Sequence, residues 1–403
     1  MSDRLSPRSA EEVRDAVQWA AAEEQPLEIL GTGSKRALGR PVQAAHALDL
    51  SALSGIVLYE PAELVISALA GTPLAEIEAA LAEHNQELAF DPLDYGPLLG
   101  QTPGAGTVGG MIGANLAGSK RLKFGAARDH ILGMEAVSGR GEIFKSGGRV
   151  VKNVTGYDLP RTLTGSWGTL AVATRITLKV QPTAETEATF VLSGLNASAA
   201  TEAMTAAMGS SAEVSAAAHL PADIAAVLMS HGHALGGPAT LLRLEGFATS
   251  VDYRFAALKA LLQGNGTVSR LEAEASRALW RDVRDCRAFF ETDEPVWRIS
   301  VAPTAGADFI VRMQAAFACR AYCDWSGGLV WLALPGADPQ ADAVRAFVAD
   351  VGGGHAMLVR APAPVRASVD VFQPQPAGLA ALSARIKAQF DPHGVLNPGR
   401  MGP

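Results

Sequence analysis

Residues Phe390–Met401 read FDPHGVLNPGRM, and this closing stretch decides how the rest of the chain is read. Just before it, Leu379, Leu382, Ile386 and Phe390 recur at helical spacing, so an amphipathic helix runs into Asp391-Pro392. Proline stops a helix, and Asn397-Pro398-Gly399 is a strong turn signal. Generic folding asks for no such string at a C-terminus. A tail this polar and this punctuated is ordered only when it docks, so the preceding chain has to supply the dock.

Working outward, 403 residues are many for one core, and two domains are expected. Hydrophobic residues make up 48% and charged residues 19%, with alanine causing much of the imbalance. The composition fits a helix-rich globular protein. No apolar run approaches the roughly 18 residues that suggest a spanning helix, and MSDRLSPRSAEE lacks the apolar core of a signal peptide. A net charge of −7 without a basic block argues against nucleic acid as the partner. Cys286, Cys319 and Cys323 form neither a disulfide framework nor a CxxC pair, and three thiols fall short of the four an iron–sulfur cluster needs. They read as free thiols in a reducing cytoplasm, and long-range electron transfer would require a partner.

The first part alternates helix and strand signals. Ser9 with Glu12 makes a capping box ahead of Val13, Val17 and Ala20. Leu27–Leu30 feeds a glycine loop, and Thr72 as N-cap with Pro73 at the first position opens a helix with Leu74, Ile77 and Leu81 on its buried face. Gln181-Pro182 ends this part. Residues 183–367 then alternate Ala-rich strands and helices, with no fixed-period repeat. Expected strands are 189–195, 239–247, 297–302, 329–334 and 355–359; expected helices are 200–208, 251–262, 309–318 and 341–351. Residues 368–403 return to the first domain, which spans 1–182.

Two segments can cradle a phosphate with the backbone N–H groups of glycine turns. LEILGTGSKR places Gly31 and Gly33 straight after a strand, and PGAGTVGGMIGANLAG holds Gly104, Gly106, Gly109, Gly110 and Gly113. GTGSKR is no Walker A loop, because the spacing and the final Lys-Ser/Thr are missing. GAGTVG matches G-x-G-x-x-G, and Asp129 lies 20 residues after Gly109, but LLGQTP rather than a buried strand precedes it.

A third segment, FGAARDHILGMEAV followed by VVKNVTGYDLPRTLTGSWGTLAV within 124–173, completes a set. Together with Gly31–Ser34 and the tail, in this order, it resembles the FAD-linked oxidases of the vanillyl-alcohol-oxidase type, and within them the FAD-binding subunits of glycolate oxidases. The resemblance covers nearly all of 30–182 plus 376–403. It implies an α+β protein with a two-subdomain FAD-binding domain, a ferredoxin-like α/β cap over the isoalloxazine, and the cofactor at the domain junction. By resemblance Gly31, Thr32, Gly33, Ser34 and Lys35 wrap the pyrophosphate, and Gly109, Gly110 and Asn115 continue the cradle. Arg128, Asp129, Gly156, Tyr157 and Asp158 line the flavin side. Gly165, Ser166, Gly168 and Thr169 close the site, Ile176 meets the adenine through its backbone, and Asn397 sits near the isoalloxazine. With no cysteine in this half, and His130 read as a turn residue, the FAD is expected to be non-covalent.

Oxidising a 2-hydroxy acid also takes a base and a cation for the carboxylate. Related D-2-hydroxyacid dehydrogenases carry a metal site in a His-x-x-x-Asp-Gly-Asn-x-His-like string, which this sequence lacks. His231-Gly232-His233 has no third ligand nearby, so no metal is expected. Arg298 is the candidate carboxylate anchor, ahead of Arg243 and Arg161. The resemblance implies a subunit of a glycolate oxidase complex in the cytoplasm, or held at the inner membrane through its partners, which would be a catalytic flavoprotein and an iron–sulfur subunit. The alternative is a self-sufficient FAD enzyme for glycolate or D-lactate.

Overall fold

The protein is described from a computed structural model covering residues 3–152 and 156–402; residues 153–155, inside the VVKNVTGYDL segment, lie outside the described residues. The chain divides into two compact units. One comprises Met1–Ala117, Gly125–Thr183 and Pro374–Pro403, and the other Gly118–Phe124 and Ala184–Gln373.

The first unit contains strands β1 (Asp3–Leu5), β2 (Leu27–Leu30), β3 (His46–Asp49), β4 (Ile56–Glu60), β5 (Val65–Leu69), β6 (Gln86–Glu87), β7 (Ile131–Ser138), β8 (Ile143–Gly147), β9 (Ala171–Lys179) and β10 (Gln181–Pro182). The first three form a parallel sheet in the order β1-β3-β2. Ser9 accepts the Glu12 N–H at 3.2 Å, and the helix Ala10–Ala22 it caps buries Val13, Val17 and Ala20. A five-stranded antiparallel sheet follows in the order β4-β5-β9-β7-β8, and β6 pairs with β10.

Two expectations fail locally here. Thr72 does not cap its helix. Its hydroxyl bonds the carbonyls of Gly55 and Leu69, and Pro73 takes the N-cap position of Leu74–Ala82 without a side-chain bond. The helix Ala377–Phe390 forms where its spacing predicts, yet none of its residues is fully buried, and Leu379 is 49% exposed.

The second unit is built on one eight-stranded sheet. Its strands are β11 (Thr186–Ser193), β12 (Ala216–Leu220), β13 (Ala239–Gly246), β14 (Thr267–Glu272), β15 (Val296–Ser300), β16 (Arg320–Asp324), β17 (Leu329–Ala333) and β18 (His355–Arg360). Their order is β14-β11-β13-β12-β16-β17-β15-β18. Each half is a βαββαβ unit, the ferredoxin-like arrangement, and the second half mirrors the first across the β12–β16 seam, where His219 faces Cys323. Strand alternation sends Ala188, Phe190, Leu192, Leu242 and Leu244 into one apolar core, while Trp297, Ile299, Val330 and Leu332 build the other. The opposite phase of β11 and β13 carries Glu187, Thr189, Arg243 and Glu245.

This duplication leaves no period in the sequence because the halves are decorated differently. The first inserts the helix Ala222–Ser230 between its second and third strands, where the second has only the turn Trp325–Gly327. The expected strands and helices of this region all form, but β12, β14 and β16 were not anticipated. In particular β12 reads AAAHL, which propensity alone assigns to helix. Among the described residues no helix is long and apolar enough to cross a membrane.

Candidate functional site

The tail and the first glycine loop are built against each other. Val395 accepts the Leu27 N–H (2.8 Å), Leu27 accepts the Asn397 N–H (3.0 Å), and Leu396 bridges Leu27 in parallel, so the tail extends the edge of β2. Asp391, almost fully buried, accepts the N–H groups of Val395 (3.1 Å) and Leu396 (2.9 Å) and pairs with Lys387. Asn397, at φ +43°, accepts the Ile29 N–H at 2.8 Å and donates to the Trp167 carbonyl at 2.8 Å. It therefore ties β2 to the loop ending at Gly168, where a Cβ would stand 2.9 Å from Asn397 Nδ2.

Beside this junction opens a cleft of about 900 Å3. Its lining includes Gly31, Lys35, Thr107, Gly109, Gly110 and Ser166 on one hand and Ile112, Met134, Leu163, Ala171 and Val172 on the other. This lining pairs apolar walls with a few placed polar groups, as small-molecule and cofactor sites do. Gly33 has φ +82° and open space where a Cβ would point, as a backbone cradle requires. Gly31 and Gly109 are tight for another reason: a Cβ at Gly31 would meet Thr107 Oγ1 at 2.8 Å, and one at Gly109 the Ala70 carbonyl at 2.9 Å. Thr107 caps the helix Val108–Ala114 by accepting the Gly110 N–H at 3.2 Å, and Thr32 donates to the Ala105 carbonyl.

Lys35 is one of three cations lining the cleft, with Arg36 and Arg400. Burial pushes the Lys35 ammonium down to about 8, against the opposing pull of Asp94, and its Nζ donates to Ser34 Oγ at 3.3 Å. A cation desolvated in this way favours an anionic ligand. The glycine cradle, this ammonium and the apolar wall together fit a dinucleotide with a pyrophosphate. No cysteine or histidine lines the cleft.

Of the residues expected at the site, Gly31, Lys35, Gly109, Gly110, Ser166, Gly168 and Asn397 line this cleft. Thr32, Gly33 and Ser34 belong to the same loop. Asn115, in the left-handed conformation at φ +49°, lies at the C-cap of the Val108–Ala114 helix and accepts the Arg128 N–H at 3.0 Å. Gly165 packs on Asn115, and Thr169 bonds the Ser166 carbonyl at 2.7 Å. Ile176 is buried in β9, laddered to Ala68 and Met134, and the cleft is lined instead by Ala171, Val172 and Ala173 of that strand.

Asp129, Gly156, Tyr157 and Asp158 line a separate cleft of about 640 Å3 with Arg161 and Lys179, and Tyr157 is 89% exposed. Arg128 is exposed, and Asp129 accepts the Ala126 N–H at 2.9 Å rather than pairing with it. His130 is buried against Phe90. The sequence did not single out Glu28, Arg36, Thr107 or Arg400, which also line the main cleft. The Lys-Arg doublet after GTGS and the Gly-Arg pair after Asn-Pro were the available signals for Arg36 and Arg400.

In the second unit the candidate cations separate by their neighbours. Arg243 is buried and bonded to Glu187 at 2.6 Å, with Glu245 at 3.6 Å. Arg298, on β15, lies over the Trp325 ring at 4.8 Å and has no ion pair among the described residues. In the first unit Arg161 stands 3.5 Å from Asp158. His231 approaches Arg287 and Glu291, whereas His233 bonds Asp282 at 2.7 Å, so the two histidines serve different partners.

Residues 4–147 match a family model described as FAD binding domain. The chain is 34% identical over 388 residues to the glycolate oxidase subunit GlcE of Escherichia coli (strain K12), covering 96% of this chain and 95% of that protein. It is 33% identical over 181 residues to the D-lactate dehydrogenase of Archaeoglobus fulgidus, which is 44% of this chain and 38% of that one. Among solved structures, p-cresol methylhydroxylase with substrate bound superposes with a TM-score of 0.75 at 15% identity, over 99% of this chain and 88% of that one. The two chains share a fold, that of the flavin oxidases of the vanillyl-alcohol-oxidase type.

Proposed function

This chain belongs to the GlcE family of FAD-linked oxidases, its cofactor is FAD, and we propose that it is the FAD-binding subunit of a complex that oxidises glycolate to glyoxylate. The observation that carries the cofactor's placement is the cleft where Gly31, Lys35 and Gly110 converge beside the docked tail. Bound there, FAD accepts the electrons of the substrate.

The chain's own residues bind and orient the cofactor. Backbone N–H groups of the Gly31–Ser34 loop and the Lys35 ammonium receive the pyrophosphate, which answers the cost of burying that cation. Met134, Leu163, Ala171 and Val172 exclude water from the apolar part of the ligand. The described lining of the cleft offers neither a thiol nor an imidazole for a covalent tether, which supports non-covalent attachment. In the second unit Arg298 anchors the substrate carboxylate. Among the described residues it alone of the three candidate arginines has no carboxylate partner, and a guanidinium stacked on Trp325 keeps its planar fork available.

The likeness to GlcE over nearly the whole length, against the A. fulgidus dehydrogenase over less than half, favours a subunit over a self-sufficient enzyme. The other members of the complex would be a catalytic flavoprotein and an iron–sulfur protein; the three cysteines here are free and buried, so a cluster would be carried by a partner. The test is a visible spectrum of the purified, FAD-loaded chain under anaerobic glycolate. It stays oxidised with glycolate alone and bleaches once the partner subunits are added. Bleaching by the isolated chain would replace the subunit with a self-sufficient dehydrogenase.

A further inference from the structure

Arg400 lies 364 residues from Arg36, yet its side chain is spent on the loop that Arg36 ends. Arg400 Nη2 donates to the Lys35 carbonyl at 2.9 Å and Nη1 to the Arg36 carbonyl at 3.2 Å. In return the Arg400 carbonyl accepts the Arg40 N–H at 3.1 Å. Gly39 permits this approach. It sits at φ +78°, and a Cβ there would stand 2.9 Å from Arg400 Nε. The loop's own bonds are few: Arg36 N–H to the Gly33 carbonyl at 2.9 Å and Leu38 N–H to the Lys35 carbonyl at 3.0 Å.

The tail end that carries Arg400 is itself anchored, through the Arg400 N–H on the Asn397 carbonyl and through Asp391, Lys387 and β2. Arg400 adds its bond to the one that the Lys35 carbonyl already accepts from Leu38, and its loss would loosen the peptide that aims the Lys35 ammonium into the cleft. A guanidinium bonded to two carbonyls fixes both the direction of the Lys35 peptide and the position of Gly33 next to it.

We propose that Arg400 is a positioning residue for the cofactor, acting through Lys35 and the Gly31–Arg40 loop rather than by binding the pyrophosphate itself. The inference rests on FAD occupying the cleft described above.

The experiment is a double-mutant cycle read by FAD affinity, measured as quenching of flavin fluorescence on the purified chain. Arg400→Gln alone weakens FAD by about 10- to 100-fold, the scale of two charge-assisted hydrogen bonds lost. Lys35→Met alone weakens it by about 10-fold. If Arg400 acts through Lys35, the double variant binds no worse than Arg400→Gln. Two fold-changes that multiply would overturn the proposal, as would wild-type affinity in Arg400→Gln. Should Arg400→Gln fail to fold by circular dichroism, Gly39→Ala makes the same test from the other side, because its Cβ pushes Arg400 off the loop. It weakens FAD and is non-additive with Lys35→Met, and additivity or unchanged affinity would again count against the proposal. A wild-type chain that takes up no FAD would instead remove the cofactor assignment itself, so the two failures are told apart.

Discussion

The two units stabilise themselves by opposite means. The first relies on backbone: left-handed glycines, an asparagine in the left-handed region and a C-terminal tail whose hydrogen bonds close a loop hundreds of residues upstream. The second relies on side chains, with two apolar cores on one sheet face and, on the other, Arg243, Glu187, Ser276, Thr189 and Trp280 in one bonded chain. Backbone devices need particular residues in a particular order, and so they write motifs. A packed sheet needs only apolar alternation, which many sequences satisfy. The ligand cleft with a motif is therefore in the first unit, and the duplication in the second is nearly silent in the sequence.

The largest effect is expected in the second unit. Glu187→Ala removes the nearest carboxylate of the buried Arg243 and an acceptor of Ser276; it costs about 3–5 kcal/mol. Urea unfolding should show that loss while FAD affinity stays at the wild-type value. Loss of FAD as well would mean that the units do not divide the work as described.

The next effect is one of pH. His219 is buried against Thr240, and burial lowers it from 6.5 to about 4. Because the folded value lies below the unfolded one, the contribution is full above about 6.5 and is lost as pH falls toward about 4, amounting to about 3 kcal/mol at most. Stability measured between those limits should fall more steeply in the wild type than in His219→Gln. Equal slopes would contradict a buried neutral imidazole.

In the first unit, Asp391→Asn removes the charge that gathers Lys387 and two tail N–H groups, and costs about 2 kcal/mol. Unlike Glu187→Ala, it should lower FAD affinity together with stability, since the tail carries Asn397 and Arg400. A loss of stability at unchanged FAD affinity would separate the tail from the cleft.

The smallest effect sharpens the picture of the cleft. With no ligand, Lys35 titrates at about 8, and a pyrophosphate raises it. FAD binding is then level below about pH 8 and weakens as pH rises above it, because complex formation takes up a proton. Lys35→Met should bind about 10-fold more weakly at pH 7 and lose that slope. A slope that persists in the variant would assign it to another group.

What the sequence made legible follows the same division. Gly31, Lys35, Gly109 and Gly110, singled out in two glycine loops, line one cleft, although Gly31 and Gly109 are also required by close packing on Thr107 and Ala70. The tail was readable as docked, through Asn397, although its dock on Leu27 and Ile29 was not. Arg400 escaped notice because its partners are carbonyls, which every residue possesses, at a separation no local pattern spans. Thr107 and Glu28 escaped because a cap and a half-exposed ion pair look ordinary in one dimension. Asp129, Gly156, Tyr157 and Asp158 were grouped with the glycine loops by resemblance, and they lie together in their own cleft. Strand β12 was missed because Ala216–Ala218 favour helix by propensity while the sheet selects them for small size in a buried seam.

The most direct measurement is the FAD content and affinity of the wild-type chain beside Gly33→Asp. The wild type should hold one FAD per chain, released intact by acid. In Gly33→Asp a carboxylate enters the open space of the cradle, and affinity should fall by roughly 100-fold or more at unchanged secondary structure. Equal flavin content in the two proteins would contradict the placement of the pyrophosphate at Gly31–Lys35.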